Sequence, residues 1–119
     1  SRGMRQKVAI CCAYLHDPQV IIFDEPHVGL DPRGIRTMKD SIVERVKLGA
    51  SVVVSSHLLE LVEDMCTHLL ILHNGNRLYF GRIEEARTAF AGLGGGASLE
   101  EIFFHATEGS AETAESGVS

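Results

Sequence analysis

The run Val20-Ile21-Ile22-Phe23 ends in two adjacent carboxylates, Asp24 and Glu25, and then Pro26. An apolar run without alternation reads as a strand buried on both faces of a parallel sheet. A charged pair placed there has to sit at the strand's carboxyl end, which is where ligands bind in open α/β sheets. One carboxylate at that edge can hold Mg²⁺, and its neighbour can orient or deprotonate a water. That is the acidic equipment for cutting a nucleoside triphosphate. The same residues also fit a strand followed by a polar turn, so the flanking pattern has to decide between them.

Upstream, Ser1-Arg2-Gly3-Met4-Arg5-Gln6-Lys7 opens a helical pattern with apolar or thiol residues at Met4, Val8, Cys11, Cys12 and Leu15. Ser1 is a good N-cap, Gly3 allows close backbone approach, and free N–H groups at a helix start attract anions. Taken alone, this is also an ordinary capped helix. The pattern stops at His16-Asp17-Pro18, since a residue before Pro disfavours the α region. Downstream, Ser51-Val52-Val53-Val54-Ser55 reads as a second buried strand, lying beside the first and delivering His57 at its carboxyl end. Between the two strands, Gly29-Leu30-Asp31-Pro32 is a tight turn into a helix running from about Arg33 to Leu48.

Further along, a short helix covers about Leu58 to Cys66, with Leu58, Leu61, Val62 and Met65 on one face. Strands Leu69 to His73 and Arg77 to Phe80 flank Asn74-Gly75, a hairpin signal, and Gly81 closes the hairpin before a helix that begins near Ile83. Gly92-Leu93-Gly94-Gly95-Gly96 is a flexible break. Ser98 then caps a last helix to about Ala106, and residues 108–119 read as a disordered polar tail. Strands alternating with helices place the chain in the α/β class, with a mainly parallel sheet, flanking helices and a terminal antiparallel hairpin.

In order, these segments resemble a signature loop (Ser1 to Gln6), a Walker B strand (Val20 to Glu25), a D-loop (Gly29 to Pro32) and a switch histidine (His57). Four motifs in this order resemble the ATP-binding-cassette (ABC) ATPases, and the match covers about the first half of the chain directly. The resemblance implies the C-terminal part of a P-loop NTPase-type domain: residues 1–91 carry the motifs, 92–107 the Gly-rich break and C-terminal helix, and 108–119 the tail. No G-x-x-x-x-G-K-[ST] occurs, and the chain opens with Ser inside a motif, so it is expected to be a portion of a longer protein. Leu99-Glu100-Glu101-Ile102-Phe103 resembles the end of exporter-type cassette ATPases, so this end is expected to be the native one.

The resemblance further implies ATP and Mg²⁺ as cofactors and a head-to-tail dimer with a second nucleotide-binding domain. Asp24 would hold Mg²⁺ and Glu25 would be the general base. His57 would bond the γ-phosphate, Ser1 and Gly3 would contact the partner's ATP, and Asp31 would couple the two sites at the dimer interface. The complete protein would be an ATPase subunit or domain working with transmembrane permease subunits at the cytoplasmic face of a membrane, and the isolated fragment would be inactive. A soluble non-transporter cassette ATPase and an inactive regulatory fragment are the alternatives. Arg2 and Met4 depart from the family's usual Gly and Gln. His27 and Val28 stand where small hydroxyl residues often follow Glu-Pro; a His there can add a pH-sensitive contact, but His27 reads first as a surface loop residue.

Composition fits a single α/β core: 119 residues, 45% hydrophobic and 23% charged. The net charge of -5 disfavours nucleic acid as a partner. No apolar run approaches the length of a membrane span. Cys11, Cys12 and Cys66 form no C-x-x-C, and the first two fall on a helix expected to be buried, so reduced thiols are expected. Cys66, His68 and His73 lie near one another in sequence, but strand-edge residues scattered in this way are seldom metal ligands.

Overall fold

The computed structural model describes residues 1–89 and 98–116. The expected glycine break at Gly92 to Gly96 lies outside them. The chain divides into two compact units, Ser1–Leu58 and Leu59–Ser119.

The first unit holds helix α1 (Arg2–Tyr14), strand β1 (Val20–Asp24), helix α2 (Pro32–Lys47) and strand β2 (Ser51–Ser55). The strands pair in parallel from Val20 opposite Ser51 to Asp24 opposite Ser55, with α2 as the crossover. Such a link is what a parallel pair requires. Two bonds extend the ladder beyond its ends: Ser51 N–H donates to the Gln19 carbonyl at 2.8 Å, and Glu25 N–H donates to the Ser55 carbonyl at 2.9 Å.

The core of this unit is formed by Ile10, Ile21, Phe23, Met38 and Ile42. Tyr14 ties its parts together. Its ring meets Phe23 edge-on with centroids 6.0 Å apart, and its hydroxyl lies 2.8 Å from Ser41 Oγ on α2. The Arg45 guanidinium lies over the same ring, 4.6 Å from its centroid, and also reaches Asp17 at 3.1 Å. Asp17 has φ +46°, so the backbone leaves the right-handed helical region before Pro18, and α1 cannot continue.

Two expectations are corrected here. β1 is not buried on both faces: Ile21 and Phe23 are inside, while Ile22 is 74% and Val20 62% exposed. Through Tyr14, both α1 and α2 meet the Phe23 side of the strand, which leaves the other side uncovered among the described residues. Nor is α1 a buried helix. Only Ile10 is buried on it; Cys11 and Cys12 are exposed, as are Met4, Val8 and Leu15.

The second unit holds helix α3 (Leu59–Met65), strands β3 (His68–His73) and β4 (Asn76–Arg82), and helices α4 (Ile83–Ala89) and α5 (Leu99–Ser116). β3 and β4 form the expected antiparallel hairpin. Asn74 at φ +50° and Gly75 at φ +76° supply the two left-handed residues that a tight type I′ turn demands. Gly81 does not end the hairpin; it pairs with Leu69, and β4 runs on to Arg82.

Val62, Ile83 and Leu99 form one buried cluster, and Ile71 and Ile102 another, with Leu69 packed against both. Ser98 caps α5 by accepting the Glu101 N–H at 3.3 Å. α5 continues past the expected end at Ala106, through the region expected to be irregular, to Ser116. Residues 117–119 lie outside the described part. No helix among the described residues is long and apolar enough to cross a membrane.

Candidate functional site

The β1–β2 register places Asp24 directly opposite Ser55. The Ser55 hydroxyl donates a short hydrogen bond to Asp24 Oδ1. Beyond Asp24 the chain turns sharply, since Glu25 has φ +49°, a left-handed value uncommon for a side chain of this type. Ser55 holds that turn, because its carbonyl accepts the Glu25 N–H at 2.9 Å and its Oγ lies 3.2 Å from the same nitrogen. Pro26 is fully buried, and its carbonyl accepts from Gln6 Nε2 on α1 at 2.9 Å. A strained backbone fixed from both sides is typical of functional turns.

The Glu25 side chain is 29% exposed and lies between two imidazoles. His57 Nε2 is 3.3 Å from Oε1, and His27 Nε2 is 3.6 Å from Oε2. The two rings sit differently: the His57 side chain is 94% exposed, and that of His27 only 17%. His27 Nδ1 also lies 3.3 Å from Ser56 Oγ.

The remaining residues singled out from the sequence frame the same loop. Ser1 caps α1, its Oγ accepting the Met4 N–H at 3.2 Å. Gly3 packs its backbone on Gly29, which has φ +85°; a Cβ at Gly3 would lie 2.8 Å from the Gly29 carbonyl oxygen. Asp31 caps α2, its Oδ1 accepting the Gly34 N–H at 2.7 Å. The structure therefore brings Asp24, Glu25 and His57 together. Among the described residues no hydrogen bond or ion pair joins Ser1, Gly3 or Asp31 to them. Three residues at the site, Ser55, Ser56 and His27, are not candidates from the sequence. Ser55 follows from the strand register, Ser56 lies one residue beyond it, and the His27 contact depends on the turn at Glu25.

The chain is 40% identical over 108 residues to the ABC-type transporter ATP-binding protein EcsA of Bacillus subtilis (strain 168), which covers 91% of this chain and 43% of that protein. Among solved structures, an ATP-binding subunit of an ABC transporter superposes with a TM-score of 0.83 at 39% identity, covering 90% of this chain and 44% of that one. The chain belongs to the ATP-binding-cassette ATPases. A further cassette relative is the Nod factor export ATP-binding protein I of Sinorhizobium fredii (strain NBRC 101917 / NGR234), 30% identical over 82 residues, which cover 69% of this chain and 24% of that protein. A scan against protein-family models finds no match. This cassette chain thus spans less than half the length of the relatives it matches.

The oxygen donors at the end of β1 suit a hard cation. Asp24 is exposed and ionisable, and a hydroxyl lies beside it. Among the described residues no group of three His, Cys, Asp or Glu side chains could hold a metal alone. Mg²⁺ bound through one carboxylate, substrate phosphates and waters needs no such cage.

Proposed function

We propose that the full-length protein is the ATP-hydrolysing subunit or domain of a membrane transporter, and that Asp24, Glu25 and His57 form the catalytic edge of its nucleotide site. The observation that carries this reading is the Glu25 carboxylate, held on a constrained turn next to Asp24 and 3.3 Å from His57. Glu25 is the general base that orients and deprotonates the attacking water. His57 is highly exposed and so free to turn from Glu25 toward a γ-phosphate. Asp24 would hold Mg²⁺, which when bound neutralises charge on the phosphate oxygens.

Ser1 and Gly3, at the start of α1, present backbone N–H groups suited to the phosphate of a nucleotide bound by a partner domain. Asp31 lies at the interface of that head-to-tail dimer. ATP, a second nucleotide-binding domain and transmembrane permease subunits are the partners in this reading. The protein works at the cytoplasmic face of the membrane, and the export role named for one relative supports outward transport. The phosphate cradle is supplied from outside these residues, because they contain no G-x-x-x-x-G-K-[ST].

The test is Glu25→Gln in the full-length protein. Loss of the base should slow turnover by about 10²-fold or more while ATP binding persists. Turnover close to that of the parent protein would sink the assignment.

A further inference from the structure

We infer that His27 is a positioning residue that holds the Glu25 carboxylate in its working orientation; this rests on the reading of Glu25 as the general base. Three observations carry it. First, His27 is placed rigidly. It follows Pro26, which is buried and anchored through its carbonyl to Gln6, and its own side chain is only 17% exposed. A histidine on a mobile surface loop would have neither restraint.

Second, the hydrogen bonds around Ser56 suit the tautomer that a contact with Glu25 requires. Ser56 Oγ accepts the Leu58 N–H at 2.9 Å, and its own proton can be donated to His27 Nδ1, 3.3 Å away. The ring proton of neutral His27 then sits on Nε2, the atom that faces Glu25 Oε2 at 3.6 Å. The opposite tautomer would aim a lone pair at a carboxylate oxygen. At 3.6 Å the contact is longer than a direct hydrogen bond. Such contacts tighten when a catalytic site fills.

Third, the two imidazoles divide the carboxylate between them, one on each oxygen, and only one is anchored. When His57 turns to a phosphate, Glu25 loses the partner on Oε1. His27 keeps Oε2, so the base stays aimed while its other neighbour is engaged elsewhere. A base displaced by about 1 Å can lose about 10²-fold in rate, so one retained contact is enough to matter.

The experiment uses the full-length protein with His27→Gln, which keeps an N–H donor near the Nε2 position, and His27→Phe, which keeps ring bulk without one. For His27→Phe, kcat should fall about tenfold or more with KM for ATP little changed, and His27→Gln should recover much of the loss. Equal kcat for His27→Phe and the parent protein overturns the proposal, as does an equal deficit in both variants. An independent readout needs no turnover: ¹⁵N-histidine NMR of the parent protein should show the His27 proton on Nε2. Glu25→Gln should then shift the ring nitrogens of both His27 and His57. A shift confined to His57 means that His27 does not touch Glu25 and overturns the proposal. Normal turnover by Glu25→Gln would instead overturn the base assignment, an outcome the NMR readout keeps separate from the contact itself.

Discussion

Gly3 earns its place by what it lacks. A methyl group there would sit 2.8 Å from the Gly29 carbonyl oxygen, closer than such atoms approach, and the neighbouring atom is backbone and cannot swing away. Gly3→Ala should therefore destabilise the first unit by about 1–3 kcal/mol, as overpacking does, even though Ala is the better helix former. Urea unfolding would measure it, and an unchanged midpoint would show that the two backbones do not meet. The cysteines separate just as clearly. Cys11 and Cys12 are exposed, whereas burial pushes the Cys66 thiol above its ordinary pKa. The thiolate is the reactive form, so Cys66 holds less of it at any mildly alkaline pH. Alkylation at pH 8, followed by peptide mass analysis, should mark Cys11 and Cys12 first, and Cys66 labelling should climb only at higher pH. Equal labelling at pH 8 would contradict its burial. At this scale the sequence spoke unevenly. The nearness of Asp24, Glu25 and His57 was legible because Asp24 ends one strand and His57 lies just past the end of its neighbour. The contact between His27 and Glu25 was not, because it depends on the left-handed φ of Glu25 and on Ser56, a residue from another strand end.

Elements declare themselves through their ends more than their middles. The helix that begins at Pro32 does so because Asp31 bonds the Gly34 N–H at 2.7 Å. Asp31→Ala removes that cap and should cost about 1 kcal/mol, readable as a lower denaturation midpoint. Asp31→Asn, which keeps an oxygen acceptor, should recover most of that stability. If turnover of the full-length protein stays low in the Asn variant despite recovered stability, Asp31 does more than cap. The hairpin turn was equally legible, since Asn74-Gly75 states its backbone geometry outright. The middle of α1 was not. Its periodicity marks an apolar stripe, but periodicity does not say whether a neighbour covers that stripe, and among the described residues only Ile10 is buried. For α5 the buried residues Leu99, Ile102 and Ala106 lie within the stretch expected to be helical, while the helix itself runs on to Ser116.

For the molecule as a whole, family membership followed from the order of motifs and the α/β class from strands alternating with helices, while the division into two units at Leu58 did not follow from either. Each unit has a core of its own, built from a strand pair and helices, so no compositional break marks the boundary. The isolated 119-residue chain carries the acidic edge without a phosphate cradle and should show negligible ATPase activity. Steady-state phosphate release checks this, and robust Mg²⁺-dependent turnover by that chain would overthrow the need for further residues. The uncovered side of the parallel strand pair has a practical outcome. Val20, Ile22 and Val53 are all exposed on two strands that pair only with each other among the described residues. Open strand edges beside bare aliphatic groups are templates for further strands. A preparation of this chain alone will therefore behave as an adhesive colloid, growing in light scattering as its concentration rises, unless a companion surface is supplied to it.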